Sequence, residues 1–127
     1  MRHQADKGFE IRKNVAPLPA EKVFTKKDVN SFKDTGLLEY LRANKITHLV
    51  IAGMQTHMCL EAAVRAASDY GFECLVVPDA CATRDLTFDG TTATAASVQA
   101  STLATLKGGG YARVVSLQEF LQKPDLR

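Results

Sequence analysis

The stretch Leu49–Ala52 is a continuous apolar run that stops at Gly53. Continuous rather than alternating apolar character suits a parallel strand covered on both faces, so His48–Gly53 is predicted as a central strand. An alanine-rich helical pattern follows over about 57–70 and closes at Gly71. Its Ala62, Ala63, Ala66 and Ala67 make a thin surface suited to close packing. Glu73–Val77 reads as the next strand and the residues 78–85, PDACATRD, as a loop. A long helix is predicted from about Thr91 to Leu106, then a break at Gly108–Gly110 and a strand over Tyr111–Val115. The last helix starts at Ser116, whose spacing to Glu119 matches a capping box. Upstream, Leu37, Leu38 and Leu41 share one helical face, and a short strand is predicted at Lys22–Thr25. The first twenty residues are polar and punctuated by Pro17 and Pro19, so they read as irregular. Strands alternate with helices, which predicts a single α/β domain over 1–127 with a mostly parallel sheet.

Composition changes this picture little. The 127 residues are 46% hydrophobic and 24% charged, enough to fill one core. The net charge of +2 is spread without blocks, which argues against nucleic-acid or polybasic membrane partners. No apolar run approaches a membrane span, and the first residues lack the apolar core of a signal peptide. Three cysteines without a CxxC pair fit a reducing compartment, so a cytoplasmic location is expected.

The chemistry concentrates on Cys59. In parallel α/β sheets ligands bind beyond the carboxyl ends of the strands, and Cys59 follows the central strand by one short turn. The start of a helix offers unpaired N–H groups and a positive dipole end, both favouring thiolate over thiol. The same N–H groups could hold the oxyanion of a tetrahedral intermediate. The alternative is a small buried core thiol, since free cysteine is among the most buried residue types. Cys74 lies within an apolar strand and reads as core; Cys81 reads as structural, near the same sheet edge. His57 stands two residues before Cys59, a spacing that does not face two side chains together on a helix. The three histidines show no ligand spacing, so no metal and no cofactor are expected. The triple glycine precedes a strand and lacks a GKS/T ending, so it is no phosphate cradle.

From about Val23 to Leu121 the chain resembles the isochorismatase-like cysteine hydrolases. The matching stretches are VFTKKDVNSF, ITHLVIAGMQTHMCLEAAVRAASDYGF, VVPDACATRD and YARVVSLQEFL. The second is the most specific, with an apolar strand, Gly-x-x-Thr-x-x-Cys and a small-residue helix. The resemblance implies a three-layer, Rossmann-like α/β/α fold and hydrolysis of a C–N bond in a small amide-type substrate. It implies Cys59 as nucleophile, Lys26 as its lysine, and a cis peptide between Met54 and Gln55. The backbone N–H groups of Gln55 and Cys59 would be the oxyanion donors.

The front of the chain departs from the family. The family's first strand, its helix and the aspartate that activates the cysteine have no counterpart here. Asp6, Glu10 and Glu21 are the only acids before Lys26, and none ends an apolar strand. The metal-binding Asp/His cluster of nicotinamidases also has no counterpart, which points away from nicotinamide. The expected partner is a small-molecule substrate. Loss of a central strand would leave an open sheet edge, so a homo-oligomer is expected. Two other readings stand beside the enzyme: a non-catalytic binding or assembly module on the same scaffold, and a fragment of an ordinary enzyme.

Overall fold

The computed structural model describes residues 10–123 and 125. In chain order its elements begin with α1 (Leu37–Ala43), β1 (His48–Met54) and a π-helical turn (Thr56–Leu60) that runs straight into α2 (Glu61–Asp69). There follow β2 (Glu73–Ala82), β3 (Leu86–Phe88), β4 (Thr91–Ala93), α3 (Ala95–Gly108), β5 (Arg113–Val114) and α4 (Leu117–Gln122). Strands β1, β2 and β5 form a parallel sheet in the order β1-β2-β5.

Strand periodicity explains the layers, because alternate residues of β2 face opposite sides. Cys74 and Val76 pack with Leu60, Val64, Ala67, Phe72 and Leu106, joining the sheet to α2 and α3. Leu75 and Val77 face the other way, against Val115 and Phe120 of α4. The result is the expected three-layer α/β/α arrangement, thinner on the α4 side. Val64, Val76 and Leu106 are fully buried, and each such side chain stabilises the fold by about 1.5–3 kcal/mol. The small residues of α2 permit this packing: Ala63 and Ala67 are both buried against the core.

Four expectations need correction. First, Lys22–Thr25 forms no ladder among the described residues. Phe24 instead packs edge-on against Tyr40 of α1, with ring centroids 5.3 Å apart, so a side-chain contact holds the segment. Second, β1 is not covered on both faces. Among the described residues it ends the sheet, and while Leu49 and Ile51 pack towards α2, Val50 on the opposite face is 49% exposed.

Third, residues 78–82 are strand rather than loop. Ile51 pairs with Val76 but Gly53 pairs with Cys81, so β2 bulges through Pro78–Ala80 and then resumes pairing with β1. Pro78 has no N–H to give a ladder and falls within that bulge. Fourth, Thr91–Ala93 is a strand and not the first turn of a helix. Asp89 and Gly90 have φ of 46° and 74°, which closes a two-residue hairpin between β3 and β4. Helix α3 starts only at Ala95. There the Thr94 side chain accepts from Ser97 N (3.2 Å) and Asp85 Oδ1 accepts from Ala95 N (2.7 Å). The predicted cap on α4 is present, with Ser116 Oγ accepting from Glu119 N at 3.1 Å.

Candidate functional site

Gly53, at φ 136°, bends β1 where its register with β2 shifts, at a backbone angle that would strain an L-residue. The Met54–Gln55 peptide that follows is cis. The chain then enters the π-helical turn, in which the carbonyl of Gln55 accepts from both Met58 N (3.0 Å) and Leu60 N (3.3 Å). Such turns recur at functional sites because they re-aim a side chain relative to the helix that follows. Here the side chain is Cys59, half-buried at the carboxyl end of β1 and directly ahead of α2.

The Lys26 ammonium meets it. Lys26 Nζ lies 3.3 Å from Cys59 Sγ, although the two residues are 33 positions apart. Nζ also donates to the carbonyls of Asp28 (2.7 Å) and Val29 (3.3 Å). An ammonium has three N–H donors, and all three are thereby aimed. The loop 27–30 folds back over its own lysine and so fixes the charge beside the sulfur. Lys27 is exposed.

A second set of contacts anchors the turn from the other side, and sequence reasoning missed it. Thr56, fully buried, places Oγ1 2.7 Å from Gln99 Oε1 and 3.2 Å from the carbonyl of Ala82. Gln99 Nε2 donates to the carbonyl of Pro78 at 3.3 Å. His57 Nδ1 lies 2.6 Å from Thr83 Oγ1, and Arg84 Nε donates weakly to Gln55 Oε1 at 3.4 Å. His57 is thus engaged by Thr83 and does not hydrogen-bond Cys59. Thr56 belongs to the Gly-x-x-Thr-x-x-Cys pattern, which was its one visible signal. Gln99 sits 43 residues away and carried none.

The other two thiols differ physically. Burial pushes the Cys74 thiol up from its ordinary value, and its weak contacts go to the carbonyls of Val64 and Phe72. Burial raises Cys81 as well, partly offset by a backbone hydrogen bond at Gly53. Its Sγ donates to the Val77 carbonyl at 3.2 Å. Limiting iodoacetamide at neutral pH is therefore expected to label Cys59 before either, read by peptide mass mapping. Preferential labelling of Cys74 or Cys81 in the folded protein would contradict it.

Among the described residues no carboxylate hydrogen-bonds the Cys59 thiol. Glu21 accepts instead from Leu18 N at 2.6 Å, Glu10 is exposed, and Asp6 lies outside the described residues. Among them, too, no group of three His, Cys, Asp or Glu side chains is placed to hold a metal ion. Among the described residues no helix is long and apolar enough to cross a membrane. Beside the site, a shallow hollow of about 360 Å³ is lined by Val29, His57, Met58, Glu61, Ala62 and Arg65. Glu61 pairs with Arg65 at 2.8 Å on its rim. A larger hollow of about 530 Å³ lies at the opposite, amino end of β2 and β5, and the thiol lining it is Cys74, which burial pushes up.

The isochorismatase domain family matches residues 3–107. An uncharacterised isochorismatase family protein of Bacillus subtilis is 39% identical over 120 residues, 94% of this chain and 66% of that protein. Streptothricin hydrolase of Streptomyces noursei is 37% identical over 79 residues, 62% of this chain and 29% of that enzyme. The crystal structure of an isochorismatase hydrolase from Oleispira antarctica superposes with a TM-score of 0.89 at 43% identity. It covers 94% of this chain and 63% of its own. The chain therefore spans about two thirds or less of the relatives it matches.

Proposed function

This chain belongs to the isochorismatase family, and from that premise we propose that it hydrolyses a C–N bond of a small amide-type substrate through Cys59. The observation that carries the reading is the 3.3 Å approach of the Lys26 ammonium to the Cys59 sulfur at the carboxyl end of the sheet. A fixed positive charge at that distance lowers the energy of the thiolate, the nucleophilic form. The thiolate bonds the carbonyl carbon, and the carbonyl π pair moves onto oxygen. The backbone N–H groups of Gln55 and Cys59 receive that negative charge. Collapse breaks the C–N bond, and the nitrogen leaves with a proton from water. The remaining hydroxide adds to the thioester and breaks the C–S bond, giving the acid and restoring the thiolate. A relative named as a hydrolase, streptothricin hydrolase, supports the reaction class.

One observation favours a second reading, a binding module on the same scaffold: no described carboxylate contacts Cys59 to act as its base. Acyl trapping separates the two. Brief exposure to p-nitrophenyl acetate followed by acid quench and peptide mass mapping is expected to show acetyl on Cys59, with steady release of p-nitrophenol thereafter. Acetylation on lysines alone, with Cys59 unmodified, would leave the binding module as the better account.

A further inference from the structure

We propose that Gln99 is a positioning residue for Cys59, acting through the Thr56 hydroxyl; the inference rests on the nucleophile reading above. Thr56 opens the π-helical turn three residues before Cys59 and has no exposed surface. The Gln55 carbonyl closes the turn from within, accepting from Met58 N and Leu60 N, so its placement against the sheet depends on what pins it from outside. The single proton of the Thr56 hydroxyl goes to the nearer acceptor, Gln99 Oε1 at 2.7 Å, and the Ala82 carbonyl lies 3.2 Å from the same oxygen.

The Gln99 amide is itself held. Its Nε2 donates to the Pro78 carbonyl, which can only accept, so the amide oxygen must face Thr56. Reversed, the amide would set two acceptors against each other. The chain of contacts Pro78–Gln99–Thr56–Ala82 closes on β2 at both ends, spanning its bulge. It ties three elements together: the carboxyl end of β2, α3, and the turn that presents Cys59. Helix α3 can serve as the fixed arm, because Thr94 and Asp85 cap its first turn.

Removing the pin lets the turn, and Cys59 Sγ with it, drift from Lys26 Nζ. Gln99→Leu and Thr56→Val, which keep volume and remove the hydrogen bonds, are expected to slow iodoacetamide labelling of Cys59 by about tenfold, because a sulfur displaced from the ammonium loses its charge-assisted contact. Thr56→Ser, which keeps the hydroxyl, should retain a rate near that of the unaltered protein.

Labelling of Cys74 and Cys81 is the internal reference. General loosening of the fold speeds labelling at both, whereas displacement of the turn slows Cys59 alone. The rate is followed at several pH values, so that a changed thiolate population is separated from changed access. Gln99 is half-buried and its leucine variant is the more tolerant of the two, so the test stands even if Thr56→Val does not fold. An unchanged Cys59 rate in folded Gln99→Leu overturns the positioning role while leaving Cys59 as nucleophile. If Cys59 in the unaltered protein labels no faster than Cys74, the nucleophile reading fails and the inference falls with it.

Discussion

Cys59→Ala is expected to abolish p-nitrophenyl acetate turnover and leave the fold intact, and Lys26→Met to weaken it strongly without abolishing it. Removing the nucleophile removes the covalent route altogether, a loss on the order of 10⁴-fold or more where such residues act as a unit. The half-buried Cys59 side chain is small, so alanine leaves little void. Lys26 contributes through one charge-assisted contact at 3.3 Å. Hydrogen bonds involving a charged group are worth about 1.5–3 kcal/mol, and exposure of this pair to water places it near the lower end. That corresponds to about tenfold, rising towards a hundredfold if substrate excludes water from the site. Methionine keeps the length of the lysine stem, so the variant isolates the charge. The neighbouring Lys27→Ala is the control: Lys27 is exposed, and its loss should change stability by within about 0.5 kcal/mol and turnover very little. Equal effects at Lys26 and Lys27 would show that the ammonium at the sulfur has no part in the reaction.

The second large effect concerns assembly. Among the described residues β1 ends the sheet, and along its outer side alternate residues aim N–H and C=O groups away from β2. Apolar surface flanks that edge. Val50 is 49% and Met54 67% exposed, and a hollow of about 200 Å³ beside it is lined by Phe32, Leu37, Leu41, Leu49 and Ile51. A long apolar edge of this kind is a template for another strand. Light scattering is therefore expected to give a mass above the 13.8 kDa of one chain, rising with concentration. Val50→Lys should shift the population towards monomer, because a lysine along an edge opposes strand addition. Association through this edge would also bring a second chain's side chains to the end of β1, where no carboxylate among the described residues hydrogen-bonds Cys59. A monodisperse, cooperatively unfolding monomer at every concentration would show that the edge is closed to partners.

The pattern of apolar positions was enough to order the parallel strands and the helices that flank them. That information is local: a run such as Leu49–Ala52 or an alanine stripe such as that of α2 states its own burial demand. The local signals also include the Asp89–Gly90 turn between threonine-rich segments, which marks the β3–β4 hairpin and was overlooked in favour of a longer helix. Cys59 was legible for a similar reason, since a thiol one turn beyond an apolar strand is placed by chain connectivity alone. Whether a strand is central or at an edge is a different kind of fact. It depends on which neighbours exist, and for β1 it left Val50 exposed and Phe24 held by Tyr40 instead of by a ladder.

Contacts across 26 to 43 positions, His57 with Thr83 and Thr56 with Gln99, had no local trace either. A hydrogen bond leaves no periodicity in a sequence; it needs only two polar atoms brought within reach by packing elsewhere. The sequence by itself determined the strand that delivers the thiol, while the three layers and the lysine that accompanies it came through the resemblance of its motifs to a known family. Only the tertiary structure decided that the Lys26 ammonium, aimed by two carbonyls of its own loop, stands 3.3 Å from that sulfur. It alone decided, too, that the turn carrying Cys59 is pinned by a glutamine from α3, because these distances are set by how α2, α3 and the loop pack on the sheet.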